Sequence, residues 1–177
     1  MNIKITLLLI LISVQCAFSQ DVLWGGTQKG GIDNAGTIFF LDPRTEQINK
    51  VYEFTNSTPG KNPVFTRLVQ GPGNSLWGMT SEGGNYNKGV IFEWYPDSNS
   101  YFVRHHFNDT LGSTPMGSLL YYNNKFYGMT SKGGVHNKGV IFELSASDYT
   151  YTKKSDFDSI NGSFPSGSFI QHSGLLY

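Results

Sequence analysis

A nine-residue motif occurs three times in this chain, and no other feature of the sequence limits the possible folds so strongly. Its copies begin at Leu23, Leu76 and Phe126. Each copy has an aromatic second residue, a Gly at the third position, a Thr at the fifth and a closing Gly-Gly pair. The first two copies start 53 residues apart and the last two start 50 residues apart. Self-similarity at such a spacing indicates one supersecondary unit copied side by side.

Further positions repeat downstream of each motif. An Asn lies three residues after the Gly-Gly pair, a Gly follows two residues later, and an apolar run comes next. We interpret the repeated residues as structural, and we assign no residue to catalysis, to a cofactor or to a metal. The repeat-defining residues are Trp24, Trp77 and Tyr127; Gly30, Gly31, Gly83, Gly84, Gly133 and Gly134; Asn34, Asn87 and Asn137; and Gly36, Gly89 and Gly139.

The repeated Gly and Asn residues are typical of tight loops. Gly adopts positive φ without steric cost, and an Asn side chain closes a turn by bonding to its own backbone. An alternative role for the Gly pairs is to let a ligand approach the backbone. The loops also resemble calcium-binding glycine-rich repeats, but calcium requires several hard oxygen ligands, usually carboxylates. Only the first loop offers a carboxylate, Asp33, so we expect no calcium site.

The repeated aromatic residue has two possible roles. One bulky ring per unit can fill the space between neighbouring units, where burial of a large side chain stabilises the fold by about 1.5–3 kcal/mol. The same rings could instead stack on sugars in a groove. Because the ring recurs at the spacing of the unit, we favour packing between units.

Each unit is predicted to contain four short strands. In one unit these are residues 118–122, 125–131, 139–144 and 149–157, and the Asn123-Asn124 pair between the first two is typical of a two-residue turn with positive φ. No segment after residue 20 repeats at the 3.6-residue spacing of an amphipathic helix. We therefore predict an all-β fold, a β-propeller-like tandem array of four-stranded antiparallel blades, with about three blades plus a stub.

The amino terminus is typical of a secretory signal peptide. Lys4 precedes a ten-residue apolar run, and small residues end the segment at Ser19. We expect residues 1–19 to be a signal peptide, cleaved after Ser19, and the protein to be secreted or displayed at the cell surface. The alternative is a lipid anchor on Cys16, but the bulky Gln15 before it argues against this.

The remaining residues, 20–177, are predicted to form a partial propeller domain. Its units are about 21–75, 76–125 and 126–175, followed by a stub at 176–177 that occupies the opening position of a fourth unit. Repeat arrays normally end in capping units. We therefore expect the sequence to be a fragment of a longer array, which would hold the remaining blades and any sorting segment.

Charge and hydrophobicity exclude two kinds of partner. Thirteen basic residues balance thirteen acidic ones, and only 15% of residues are charged, so a nucleic-acid partner is not expected. The apolar run at residues 5–14 is shorter than the roughly 20 residues of a membrane span. A partner is therefore expected to be an unknown extracellular ligand, such as a glycan or a protein.

The histidines do not form a predicted metal site. His105 and His106 are neighbours on a strand and must point to opposite faces, while His136 and His172 are placed in turns of another unit. A zinc site needs three or four converging ligands. No catalytic serine motif or phosphate-binding loop occurs either.

The full pattern, as it stands at residues 126–142, resembles the GloVer (Gloeo/Verruco) tandem repeat of bacterial secreted and surface proteins. The resemblance covers residues 21–177, and the first copy departs most, with Gly26 where the others have Met. It implies an exported propeller-like array and carries over no catalytic residue. The paired Gly is also similar to kelch blades, whose spaced Tyr and Trp are not clearly matched, so that likeness concerns the fold only.

Three functions remain open. The leading hypothesis is a binding or structural module without catalysis of its own, because the conspicuous residues are shared between units. The second is part of an extracellular propeller enzyme acting on glycans, with a site built from unlike loops such as residues 44–46 and His105-His106. The third is a spacer or adhesin stalk.

Overall fold

A computed structural model describes residues 22–57 and 59–177. The predicted signal peptide, including Cys16, lies outside the described residues. The described residues form β-strands, turns and one 3-10 turn at Pro72–Asn74. None of the helical structure among them has the length and apolarity that crossing a bilayer requires. The predicted all-β class is confirmed.

Fifteen short strands follow one another along the described chain. They are β1 Leu23–Thr27, β2 Thr37–Asp42, β3 Gln47–Glu53, β4 Gly60–Lys61, β5 Val69–Gln70, β6 Leu76–Thr80, β7 Glu82–Gly83, β8 Val90–Tyr95, β9 Ser100–His106, β10 Leu120–Tyr122, β11 Lys125–Thr130, β12 Val140–Ser145, β13 Tyr151–Asp156, β14 Gln171–His172 and β15 Leu175–Leu176. His172, expected in a turn, therefore ends a short strand, because residues 173 and 174 form the turn instead.

The strands form three main antiparallel sheets, none of them closed. The first sheet has the order β1-β2-β3, the second β5-β6-β8-β9 and the third β10-β11-β12-β13. The four predicted strands of one unit are thus present in the third sheet, and the turn at Asn123 and Asn124 has the predicted positive φ values of 50° and 60°. The first sheet differs in having three strands among the described residues. Two-stranded ladders join β4 to β7 and β14 to β15.

The sheets repeat in detail. In each, the register between the last two strands shifts at the same place, after Ile38, Ile91 and Ile141. The extra residue at this bulge in the second sheet is Arg104, whose guanidinium contacts the buried Glu93 carboxylate at 2.5 and 2.7 Å. A bulge bends a strand and strengthens its twist. The three sheets therefore share this bulge and the same order of their last three strands.

Neighbouring sheets pack face to face through aromatic rings. Phe54 of the first unit contacts Phe92 of the second sheet edge-on, with ring centroids 5.5 Å apart. Phe107 contacts Phe142 of the third sheet in the same way at 5.4 Å. All four rings are buried. The described core thus has two equivalent clusters. One lies between the first and second sheets, which we call the first junction, and the other lies between the second and third sheets, which we call the second junction.

The linkers between units are bonded to both sides. At the second junction the Thr114 amide donates to the Lys88 carbonyl, while its carbonyl accepts from the Ser131 amide and from Ser131 Oγ. Asn62 does the same at the first junction, with Ala35 and Ser81. Each linker is therefore bonded on one side to the Gly-Gly loop of the preceding unit and on the other side to the residue that follows the second strand of the next sheet.

Candidate functional site

The three Gly-Gly loops have the same hydrogen bonds. The side-chain oxygens of Asn34, Asn87 and Asn137 accept from the amides of Gly30, Gly83 and Gly133 at 3.0–3.1 Å. Each Asn itself adopts positive φ, between 53° and 54°. The structure thus places these side chains on their own loop backbones, where the oxygen is already occupied.

A glycine closes each loop where no other residue fits. A Cβ added to Gly89 would lie 2.2 Å from the Thr80 carbonyl oxygen and 2.9 Å from Pro115 Cδ, and the φ of Gly89 is +99°. Gly36 and Gly139 have equivalent contacts with Pro63 and Pro165. The repeated glycine and the repeated proline therefore pack closely against each other, and this contact holds the linker on the loop.

Each Gly-Gly loop is anchored by the residue that ends the last strand of the same sheet. The Glu53 carboxylate accepts from the Ile32 amide at 3.4 Å, and Asp156 accepts from the Val135 amide at 2.8 Å. In the second sheet the acceptor is His106 Nδ1, 3.2 Å from the Asn85 amide. Burial lowers the pKa of His106, which favours the neutral ring that this hydrogen bond requires.

A polar cleft of about 740 Å³ lies where these loops and linkers meet, and we name it the loop cleft. All three motif copies contribute to it. Its lining includes carboxamide, hydroxyl and charged side chains, with Val64 and Met116 as apolar members. The polar lining residues are Gln28, Ser81, Glu82, Asn87, Lys88, Asp109, Ser113, Thr114, Lys132 and Asn137.

Charges of both signs face one another in the loop cleft. Lys88 Nζ lies 3.1 Å from Asp109 Oδ2, and the hydrogen bond from Lys88 lowers the pKa of Asp109. Glu82 lies 4.0 Å from Lys61, whereas Lys132 has no ion pair within 4 Å among the described residues. The cleft can thus present ammonium, carboxylate and amide groups to one ligand.

The linker that crosses the loop cleft contains a strained residue. Thr114 has φ +53°, although it is β-branched and precedes Pro115. Both properties disfavour this conformation. Strained residues persist where surrounding contacts fix them, and they are concentrated at functional sites.

The three repeated aromatic residues occupy related places with unequal burial. Trp77 is buried and stacks on Phe126 of the third sheet, with ring centroids 4.1 Å apart. Trp24 is half-buried and contacts Trp94 of the second sheet edge-on at 5.3 Å. Tyr127 is half-buried in β11. The face of Trp77 is therefore covered by protein, which leaves it no surface for a sugar.

The structure does not bring the two unlike loops together. Residues 44–46 lie in the exposed turn before β3, whereas His105 and His106 end β9, the equivalent strand of the next sheet. His105 stacks on Tyr151, and His106 lies on the Asn85 amide. No group of three or more metal-ligating side chains converges within residues 22–57 and 59–177.

Sequence reasoning missed the residues that line the loop cleft, apart from Asn87, Gly134 and Asn137. Lys88, Asp109 and Thr114 vary between the units, so comparison of the repeats passes over them. The only signal that could have found them was the difference between units: Lys88 is replaced by Ala35 in the first loop.

The comparison with known proteins agrees with this repeated architecture. The family described as the Gloeobacter/Verrucomicrobia repeat matches residues 12–177, nearly the whole chain. A search of curated proteins finds no match. The resemblance seen in the repeated motif is thereby confirmed, and the chain belongs to the Gloeobacter/Verrucomicrobia repeat family.

Proposed function

We propose that this protein is a secreted or cell-surface β-propeller-like array that binds an extracellular glycan in the loop cleft, without catalysis of its own. The observation that carries the proposal is the lining of that cleft, to which all three motif copies contribute polar side chains. Three antiparallel sheets with the same bulge, joined by two equivalent apolar clusters, support the arrangement as successive blades.

The chemistry of the loop cleft suits a sugar that bears both hydroxyl and charged groups. Carboxamides and hydroxyls donate to and accept from sugar hydroxyls, and Lys132 can pair with a carboxylate or sulfate. The balance of charges argues against a highly anionic polymer, which would require a basic surface. An acidic oligosaccharide of mixed polarity is the ligand class that fits best.

Binding can be tested with a matched pair of variants. Lys88 and Lys138 occupy the same position of successive loops, but only Lys88 lines the loop cleft. The protein is applied to an array of acidic and neutral glycans, and each hit is titrated by calorimetry. Lys88→Ala should weaken binding about fivefold, the effect of one lost charged contact of about 1 kcal/mol, while Lys138→Ala should not. Equal effects of both substitutions would contradict the assignment of the cleft.

The enzymatic alternative is tested on the same protein. Chromogenic glycosides should remain unhydrolysed during prolonged incubation with the glycans that bind. Turnover that disappears on substitution of a single carboxylate would replace the binding proposal with a glycan-hydrolysing one.

Export is tested separately from binding. The proposal expects a mature chain beginning at Gln20, recovered from the culture medium or the cell surface. Mass spectrometry of its amino-terminal peptide distinguishes this product from a chain that retains a lipid on Cys16.

A further inference from the structure

The two junctions between sheets differ by one residue. Gly60 and Gly112 are equivalent, since each lies against a Thr Oγ1 and a Val Cγ2 of the following sheet. Five residues separate Phe54 from Gly60, whereas four separate Phe107 from Gly112. The first linker is thus longer, and it carries Pro59 where the second has Leu111.

This difference leaves one buried hydroxyl without a partner. At the second junction Tyr151 Oη donates to the Leu111 carbonyl at 2.6 Å. Tyr101 is the equivalent residue of the second sheet, and its Oη is buried beside Gly60 with no hydrogen-bond partner among the described residues. Buried polar groups in native proteins nearly always have a partner, either protein, water or ligand.

A groove of about 730 Å³ lies at the same junction, between β3 and β9. Its volume is within the range of about 300–1,000 Å³ that is usual for small-molecule sites. Tyr101, Tyr52, Glu53, Ser57, Asn85 and His106 are among its lining residues. We name it the junction groove; it shares no lining residue with the loop cleft.

The lining of the junction groove favours a neutral ligand rich in hydroxyl groups. None of the described residues that line it is Lys or Arg, and the one carboxylate among them, Glu53, is already paired with Lys50, so the lining offers an anion no cationic partner of its own. Pro59, Val103 and Phe102 add apolar surface, which matches the C–H face of a sugar ring. Ser57, Asn85 and Tyr101 provide hydrogen-bonding groups.

We propose that the junction groove is a second binding site, which takes a single neutral sugar residue, and that this sugar reaches the otherwise buried Tyr101 Oη and pairs one of its hydroxyls with it. Within residues 22–57 and 59–177, the tyrosine hydroxyl without a partner lies at the junction where the linker is longer. It does not depend on the loop cleft, and the two sites are separable by substitution.

The equivalent tyrosines supply the test. The probes are the methyl glycosides of glucose, galactose, mannose and N-acetylglucosamine, titrated into the full chain by calorimetry and by amide NMR. Tyr101→Phe should leave the melting temperature unchanged or raise it, because it removes an unpaired hydroxyl, and should weaken binding at least fivefold. Tyr151→Phe should lower the melting temperature, because it breaks a hydrogen bond, and should leave binding unchanged.

Two outcomes would overturn the proposal. The first is the absence of binding by all four glycosides at millimolar concentration. The second is binding of the same strength by the protein and by Tyr101→Phe. Crystals soaked with the tightest glycoside give an independent readout: a sugar beside Tyr101 supports the site, and ordered water alone at that position refutes it. The loop-cleft proposal is tested by Lys88→Ala on the glycan array and this one by Tyr101→Phe on the glycosides, so failure of the one and failure of the other are distinguishable.

Discussion

The imidazole ring of His105 lies flat on the phenol ring of Tyr151, with ring centroids 3.8 Å apart and planes 6° apart. At the preceding junction Tyr52 stacks on Tyr101 in the same way, at 5.0 Å and 8°. His105 therefore occupies the position that Tyr52, which is not basic, occupies in the preceding unit. Its Nε2 is buried and has no partner among the described residues.

We predict that His105 makes the fold sensitive to acid. Burial, and then the nearby His106, lower its pKa from 6.5 to about 4. Between about pH 6.5 and pH 4 the unfolded chain binds this proton more strongly than the folded chain, so stability falls as the pH falls, by at most about 1.4 kcal/mol per pH unit. His105→Phe should flatten the dependence of melting temperature on pH in this window.

The control for this prediction is His172→Ala, at an exposed position, which should retain the wild-type pH dependence. The carboxyls with lowered pKa, such as Asp109 and Asp156, lose their contribution only as the pH falls below about 4, so they act in a different window. Identical curves for His105→Phe and the wild type would show that the ring does not control acid stability.

We predict that Thr114→Asn stabilises the protein. Thr114 adopts φ +53°, and Asn62 occupies the equivalent linker position with φ +56°. Asn tolerates this conformation better than a β-branched residue, so the substitution should raise the free energy of unfolding by about 1 kcal/mol. Denaturant titration measures it. Destabilisation would mean that the Thr114 side chain makes contacts that outweigh the backbone strain.

We predict that Trp77→Ala destabilises the fold by about 3–5 kcal/mol, because it removes a fully buried ring and opens a cavity against Phe126. It also leaves Ser75 Oγ without the hydrogen bond from Trp77 Nε1. Tyr127→Ala, at the half-buried equivalent position, should cost less. If both substitutions lower the free energy of unfolding equally in chemical denaturation, burial does not determine how much the repeated ring stabilises the fold.

We predict that Gly89 tolerates no side chain. Gly89→Ala places a Cβ 2.2 Å from the Thr80 carbonyl oxygen and forces Ala to φ +99°, which should cost about 3 kcal/mol or more. Gly73→Ala is the matched control, because Gly73 also has positive φ but meets no atom within 4 Å. Its cost should be about 1 kcal/mol. Thermal unfolding of both variants separates steric clash from backbone conformation.

Local features of this fold were predictable from sequence. The order of strands in the third sheet follows from runs of apolar residues separated by turn residues, and the Asn123-Asn124 turn follows from the tolerance of Asn for positive φ. Each of these depends on a few neighbouring residues. The repeat then extends the same conclusion to the other units.

The candidate sites were not predictable in the same way. The loop cleft depends on where linkers cross between units, and the junction groove depends on one additional residue before Gly60. Both arise from differences between copies, which a search for shared residues discards. The unpaired hydroxyl of Tyr101 becomes visible only when its counterpart, Tyr151, is seen bonded to Leu111.

The double bonding of the linkers has a mechanical consequence. Because Asn62 and Thr114 each hold both of the units that they join, neither of these two linker positions is a slack hinge at which one unit could swing away from the next. Tension on such an array would be borne by several hydrogen bonds at once. We therefore expect it to resist pulling stiffly and then to yield abruptly, one unit at a time.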